Sequence, residues 1–288
     1  MVHRNRRRKA AHTAAMLALV ATLAALPVHA QNLRELGVSD DEIRNQRRVT
    51  GNSITFCVNS GSLLAPFERE LAAEIASALL LEYEIFEVVT EPPTAPYDFR
   101  LMLDDVSIFR LLARSCDAIM GYTLLTNYPD WIRPGPVYLT TEAVLVARSG
   151  EFGTFGELPP TSTIGTRTMS LSDNYLTAYL RTLPESRRPG RNTYLTNLQI
   201  MERLADRSVD AALVWAPALY AYEAAHDAAG AFEILPGVPF GAEPTQFVLA
   251  VRPQEQFIEL SLSQAVQALT ASGTIERLAI EHGLVPAP

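Results

Sequence analysis

Apolar and polar positions along this chain change period several times, and each change predicts an element. Ile54-Thr55-Phe56-Cys57-Val58 reads as a strand running into the polar turn Asn59-Ser60-Gly61-Ser62. Residues 67–81 carry apolar side chains at helical spacing, and 83–89 alternate as a second strand before the loop marked by Pro92-Pro93 and Pro96. Ser39-Asp40-Asp41-Glu42 is a capping box that predicts a short helix over 43–49. Further on, 118–121 and 142–148 read as strands separated by an excursion through Pro129, Pro134 and Pro136. Thr163-Ile164-Gly165 is a short strand, 173–183 a helix, 246–251 the last clear strand, and 257–283 two terminal helices.

One unit occurs twice. A polar lead, an amphipathic helix and a strand that opens on Asp run from Val106 to Gly121 and again from Thr196 to Ala216, the second copy opening on the capping box Thr196-Asn197-Leu198-Gln199. Strands alternating with helices of this length predict an α/β fold of two lobes, each a mainly parallel sheet flanked by helices. The expected boundaries are 52–140 with 245–288 for lobe 1 and 141–244 for lobe 2, after an N-terminal extension at 31–51.

The first thirty residues read differently. Arg4, Arg6, Arg7, Arg8 and Lys9 precede the apolar run 14–26, and Val28-His29-Ala30 has the small-residue pattern of a cleavage site. This predicts a signal peptide at 1–30, cut after Ala30, and a protein exported to the periplasm without spanning the membrane. The formal charge of -8 becomes more negative once these basic residues leave, which argues against nucleic acid or an anionic membrane as partner.

Cys57 and Cys116 remain after export, and an even count in an oxidising compartment makes a disulfide the first expectation. Strand geometry argues the other way. If their strands are parallel neighbours, Cys57 near an exit and Cys116 near an entrance stand roughly 10 Å or more apart at about 3.3 Å per residue, whereas a bridge needs Cα atoms within about 7 Å. Both a bridge and two buried thiols stay open.

The chemistry visible in the sequence is sparse. Of five histidines only His226 and His282 lie beyond the leader, both in polar, helix-like surroundings. No nucleophile elbow, zinc-protease motif, phosphate loop or spaced Cys/His cluster occurs, and Gly150, Gly153 and Gly156 lack the Lys-Ser/Thr that a phosphate loop needs. Asp104-Asp105 reads as the acidic start of a helix rather than a metal pair. The expectation is a protein without catalytic residues, metal or cofactor.

Phe67-Glu68-Arg69-Glu70-Leu71-Ala72, Phe155-Gly156-Glu157-Leu158, Ser208-Val209-Asp210-Ala211-Ala212-Leu213-Val214 and Ser272-Gly273-Thr274 stand in the order of motifs of the family 3 periplasmic solute-binding proteins. The resemblance covers roughly 52–285 and implies the type II periplasmic-binding fold, two lobes joined by crossover strands that close on a ligand. Amino-acid receptors of that family hold the ligand carboxylate with an Arg shortly after the first Gly strand. Here Thr123-Leu124-Leu125-Thr126-Asn127-Tyr128-Pro129 contains none, and Trp215 stands where an Asp would hold the ammonium group.

Cys57-Val58, Cys116-Asp117, Pro136-Val137-Tyr138 and Val214-Trp215-Ala216-Pro217 further resemble the quinoprotein-dehydrogenase-associated branch, the J-type partners of periplasmic methanol dehydrogenases. That resemblance implies a non-enzymatic accessory of a periplasmic quinoprotein dehydrogenase. The alternatives are a substrate-binding protein serving an ABC permease with a small solute other than a standard α-amino acid, and a dehydratase-like enzyme for which Glu142 is the nearest candidate carboxylate.

In parallel α/β sheets ligands meet the loops beyond the strand C-termini. Asn59, Ser60, Ser62, Tyr122, Thr123, Tyr138, Ser170, Ser172, Asp173 and Trp215 are the candidate binding residues on that rule. Helix capping is the competing role for Ser170 and Ser172, hinge packing for Tyr122 and Tyr138, and core packing for Trp215. If the Trp215 indole faces the cleft, it favours an aromatic or extended apolar partner.

Overall fold

A computed structural model describes residues 33, 37–44, 46, 51–89, 105–124, 128–239 and 244–285; the leader lies outside them. The first helix, α1 (Asp40–Arg44), begins with the capping box read from the sequence. Glu42 N–H donates to Ser39 Oγ at 3.2 Å and Ser39 N–H donates to Glu42 Oε2 at 3.0 Å. The helix expected over 43–49 has ended by Gln46, and 45 and 47–49 are not among the described residues.

The chain then forms β1 (Ser53–Asn59), α2 (Ala65–Ala78), β2 (Glu82–Val88), α3 (Asp105–Arg114), β3 (Ala118–Thr123) and β4 (Arg133–Thr141). It crosses into a second unit of β5 (Ala143–Arg148), β6 (Thr163–Arg167), α4 (Leu171–Thr182), β7 (Gly190–Tyr194), α5 (Asn197–Ala205), β8 (Ala211–Trp215), α6 (Ala216–His226) and β9 (Phe232–Ile234). It returns to the first as β10 (Thr245–Val251), α7 (Gln256–Ala271) and α8 (Thr274–Glu281). The strands make two five-stranded sheets, β2-β1-β3-β10-β4 and β7-β6-β8-β5-β9, so the two copies of the repeated unit supply β3 to one sheet and β8 to the other.

Side-chain alternation gives each sheet two covered faces. Ile54, Phe56 and Val58 of β1, with Phe247, Leu249 and Val251 of β10, face the layer formed by α2, α7 and α8. Cys57, Ile119, Val248 and Ala250 face α3 on the other side. In the second lobe α5 and α6 cover one face and α4 the other.

The sheets are mixed, which corrects the expectation of mainly parallel ones. β1 runs parallel to β2 and β3, but β10 is antiparallel to β3 and β4; likewise β6 is parallel to β7 and β8, but β5 is antiparallel to β8 and β9. The cause is the double crossover. β5 and β10 each enter their sheet from the other lobe and run away from the crossover, while their neighbours run toward it.

The proline-marked excursion of the sequence is β4, a strand nine residues long. Pro134 and Pro136 are tolerated because β4 lies at a sheet edge, where a missing N–H costs no ladder bond on the open side. β7 and β9 were also silent in the sequence. Gly190–Tyr194 is an edge strand of polar, exposed residues, and polar alternation cannot be told from loop without its partner.

The Asp that opens each repeated strand does the same work in both lobes. Thr55 N–H donates to Asp117 Oδ2 at 2.9 Å while Asp117 N–H donates to Thr55 O at 2.8 Å. Thr163 N–H donates to Asp210 Oδ2 at 2.7 Å while Asp210 N–H donates to Thr163 O at 2.9 Å. Each carboxylate thus pins the neighbouring parallel strand, β1 near its start and β6 at its first residue, and fixes the register. Asp117 is fully buried, with the guanidinium of buried Arg252 at 3.8 Å.

Cys57 and Cys116 are bonded, with Cα atoms 5.6 Å apart. The distance argued from strand spacing is corrected by the turn. β3 begins only at Ala118, which sits opposite Phe56, and Cys116 lies outside the strand where the chain descends from α3 across the face that carries Cys57.

Asp117→Ala is expected to destabilise the protein by about 3–5 kcal/mol, because it leaves buried Arg252 without that carboxylate. Asp210→Ala, at a partly buried position, is expected to cost about 1–2 kcal/mol. Urea denaturation of the two variants gives the comparison, and equal losses would refute the assignment.

Candidate functional site

The C-terminal ends of β1, β3, β6 and β8 lie toward the crossover, where β4 ends at Thr141 and β5 starts at Ala143. Trp215, the last residue of β8, pairs with Ala143 across the sheet. Its indole N–H donates to Thr141 Oγ1 at 2.6 Å, its backbone N–H donates to Asn197 Oδ1 at 3.3 Å, and its ring packs on Phe247 of β10 with centroids 6.1 Å apart. The next residue continues the stitching, since Ala216 N–H donates to Glu142 O at 2.9 Å. Trp215 is 4 % exposed. The expectation that its indole is offered to a partner is therefore corrected: the ring is spent in the seam between the lobes, and core packing is the role it has here.

Lobe 1 contributes a tight turn at its side of the crossover. Asn59 is buried and its Oδ1 accepts from Gly61 N–H at 3.2 Å, while Ser62 Oγ accepts from Leu64 N–H at 3.1 Å ahead of α2. Ser60 is exposed, with its N–H and Oγ both directed to Val88 O at 3.1 and 3.2 Å. Thr123 is half-buried at the end of β3, and Tyr122 is buried in the core on the α3 side; burial, then the charge of Asp105, pushes its hydroxyl pKa up.

Lobe 2 contributes the turn before α4. Ser170 Oγ accepts from Asp173 N–H at 3.0 Å and donates to Arg167 O at 2.9 Å, the N-cap arrangement that competed with ligand binding in the sequence. Ser172 is half-buried in the first helical turn. Asp173 is buried and ion-paired with Arg191 of β7, so its carboxylate is already engaged. The ends of β6 and β7 adjoin, Thr168 N–H donating to Tyr194 O at 2.8 Å, and Met169, Leu171, Leu195 and Leu198 stand exposed around them.

One titratable group at this end of the molecule escaped sequence reasoning. Glu68, in the first turn of α2, is 1 % exposed. Tyr138 of β4 donates its hydroxyl to Glu68 Oε1 at 2.9 Å and accepts from Gly121 N–H at 2.7 Å. Burial raises the Glu68 pKa to about 7, opposed by the Tyr138 hydrogen bond, and burial with the Glu68 charge drives the Tyr138 hydroxyl well above its ordinary range.

Gly121 is required beside this pair. Its φ is +74°, and a Cβ there would stand 2.8 Å from Glu68 Oε1. The available signal was that Glu68 occupies the helical stripe of Leu64, Leu71 and Ile75, an apolar face where a carboxylate has no ordinary reason to be.

The remaining candidates for chemistry are peripheral. His226 closes α6 with Nδ1 at 2.9 Å from Tyr222 O, and His282 follows α8 within 3.2 Å of Glu70. Among the described residues there is no group of three His, Cys, Asp or Glu side chains able to hold a metal ion, and no helix long and apolar enough to cross a membrane.

Trp215→Ala is expected to destabilise the protein by about 3–5 kcal/mol, since it empties a buried aromatic site at the seam; a loss below about 1 kcal/mol in urea denaturation would show the ring to be dispensable to the fold. Glu68 gives a pH test. Its folded pKa lies above the unfolded value of 4.5, so the stability it contributes is complete below pH 4.5 and lost as pH rises through about 7. Glu68→Gln removes that dependence, and its stability relative to the wild type is expected to grow by roughly 3 kcal/mol between pH 4.5 and 8. A difference that stays flat over this range would refute the buried-acid assignment.

No protein-family model and no curated protein matches this chain. Solved structures match its fold. The second substrate-binding domain of a putative amino acid ABC transporter from Streptococcus pneumoniae Canada MDR_19A aligns with a TM-score of 0.60 at 16% identity, covering 80% of this chain and 99% of its own. Lactococcus lactis GlnP substrate binding domain 2, in an open conformation, aligns at 0.64 and 14% identity, covering 84% and 100%. An ancestral cationic amino acid solute binding protein aligns at 0.58 and 15%, covering 87% and 98%. At these identities the shared property is architecture, and the chain has the two-lobed type II periplasmic-binding fold of these solute-binding domains.

Proposed function

We propose that this protein is an exported, non-enzymatic solute-binding protein that takes a small solute between its lobes and delivers it to an ABC permease, the solute being other than a standard α-amino acid. The observation that supports the reading is the fold itself, shared over 99% of a substrate-binding domain of a putative amino acid ABC transporter and 100% of GlnP substrate binding domain 2. The basic, apolar and small-residue succession of 1–30 supports export to the periplasm. The lobe boundaries proposed are 52–140 with 245–288, and 141–244, supported by the change of sheet between β4 and β5 and between β9 and β10. Asn59, Ser60, Ser62, Thr123, Ser170 and Ser172 are the polar groups proposed to meet the ligand, because their turns stand beyond the strand ends.

The exclusion of α-amino acids rests on what occupies the anchoring positions. The segment 123–129 has no Arg to clamp a carboxylate. Trp215 in the place of an Asp has its N–H committed to Thr141, and the carboxylate of Asp173 is committed to Arg191. An ammonium group would meet neither anchor.

A second reading, partnership with a periplasmic quinoprotein dehydrogenase, is favoured by two features. The bonded Cys57–Cys116 pair suits the branch whose motifs the sequence resembles, and Met169, Leu171, Leu195 and Leu198 form an exposed apolar rim suited to a protein surface.

A thermal-shift screen of the purified protein against L-amino acids, polyols, aromatic acids and organic amines separates these readings. A cognate solute at about 100 times its Kd adds roughly 2.7 kcal/mol and is expected to raise Tm by about 5–10 °C. The standard L-amino acids are expected to leave Tm unchanged, and stabilisation by any of them would overturn the exclusion. Silence across the whole screen, together with co-migration with a purified quinoprotein methanol dehydrogenase, would replace the receptor reading with the second.

A further inference from the structure

Lobe 1 holds a cavity of about 340 Å³ at the end of its sheet away from the seam. Arg133, the first residue of β4, lines it and pairs with Val251, the last residue of β10, whereas Thr141 and Thr245 pair at the seam. Eight residues of β4 separate the two ends, which at about 3.3 Å per residue places the cavity roughly 25 Å from the crossover. Phe109 and Leu112 of α3 form its apolar floor with Trp131, whose ring stands edge-on to Phe109 with centroids 5.6 Å apart. Leu33 and Ile43 of the N-terminal extension supply a further wall. That wall is fastened to α3, since Glu42 Oε1 accepts from Arg110 at 3.1 Å and from Arg114 at 2.8 Å, and Leu33 and Val38 are buried in the cluster that contains Phe109 and Leu112.

We propose that this cavity is a second binding site, for a small monocarboxylate with an apolar ring: the ring rests against Trp131, Phe109 and Leu112, and the carboxylate meets Arg133. Size sets the body of the ligand. An apolar cavity of about 150 Å³ holds benzene, so this one has room for two fused rings, and it falls at the small end of ligand pockets.

Charge sets the polar end. Two guanidinium groups, Arg133 and Arg252, and one carboxylate, Asp130, line the cavity, in a chain whose formal charge is -8. The two arginines are not equivalent. Arg252 is 3 % exposed and is engaged by Leu112 O, by Glu255 at 3.3 Å and by Asp117 at 3.8 Å, so its charge is balanced within the fold. Arg133 is 47 % exposed at its side chain and stands 3.7 Å from Glu259, beyond the length of a hydrogen bond. It can turn its fork to an incoming carboxylate without breaking a hydrogen bond to Glu259, and that pairing is charge-assisted and bidentate. A cationic ligand would instead meet two arginines against the single carboxylate of Asp130.

Calorimetric titration of the purified protein with 2-naphthoate tests the site. Binding is expected with a Kd of about 1 mM or tighter, the range open to a ligand of this size. Arg133→Ala, at an exposed position, is expected to weaken it about tenfold while leaving the circular dichroism unchanged, and 2-naphthylmethanol, with the same rings and no charge, to bind about tenfold more weakly than the acid. Ile43→Trp, which fills the cavity from α1, is expected to abolish binding. Ser60→Ala and Thr123→Ala, at the turns between the lobes, are expected to leave it unchanged. An absence of binding up to about 5 mM overturns the proposal. So does 2-naphthylmethylammonium binding as tightly as the acid, or affinity that falls in Ser60→Ala or Thr123→Ala and survives Arg133→Ala, which would put the acid between the lobes. Because the two sites respond to different variants, failure here leaves the receptor reading standing, and an aromatic acid that raises Tm in the thermal-shift screen is assigned to one site or the other by the same substitutions.

Discussion

The arrangement of the two lobes depends on how β4 is held as it leaves the first sheet. Two hydroxyls do this, and each is worth only about 0.5–1.5 kcal/mol as a net hydrogen bond. Their positions differ. Thr141 ends β4 and bonds the Trp215 indole across the seam, whereas Tyr138 ties β4 to α2 and β3 within lobe 1. The apolar part of the seam adds to them through the packing of Trp215 on Phe247, which brings a lobe 2 residue into the core of lobe 1.

Each lobe solves its own construction in the same way. A helix delivers the chain into a strand preceded by Asp, and the carboxylate takes an N–H of the parallel neighbour, at Thr55 in lobe 1 and Thr163 in lobe 2. A parallel pair lacks the short hairpin that sets register in antiparallel pairs, so a side chain at the strand start supplies what the connection cannot. The lobes differ in how deeply the device is buried. Asp117 lies under the Cys57–Cys116 bond with Arg252 nearby, whereas Asp210 is partly open.

The polar residues around the strand ends are largely consumed by the fold. Ser170 caps α4, Ser62 supports the entry to α2, Asp173 holds Arg191, and Trp215 holds Thr141. A site built from such residues recognises through their remaining valences and through backbone shape. Full charges such as that of Asp173 are thereby engaged within the fold, and the apolar side chains of Met169 and Leu171 stand exposed beside these turns.

Much of the architecture was legible in the sequence because it follows from local periodicity. The capping box at Ser39, the core strands β1 and β10 and the repeated helix–strand unit are all written in neighbouring residues. The edge strands were not. β4 hides behind two prolines and β7 behind polar residues, and both are strands only because a neighbour supplies their hydrogen bonds. The same division runs through the site. The sequence by itself selected Tyr138, Ser170 and Trp215 as residues of consequence, but it left open whether each serves a ligand or the fold. That choice depends on groups far along the chain: Glu68 and Gly121 for Tyr138, Thr141 and Phe247 for Trp215. Likewise the bond between Cys57 and Cys116 was decided by the path of the turn before β3, which periodicity does not encode. Local pattern determines what an element is, and only the tertiary structure determines which polar groups meet in a dry seam, because burial and pairing are properties of places rather than of residues.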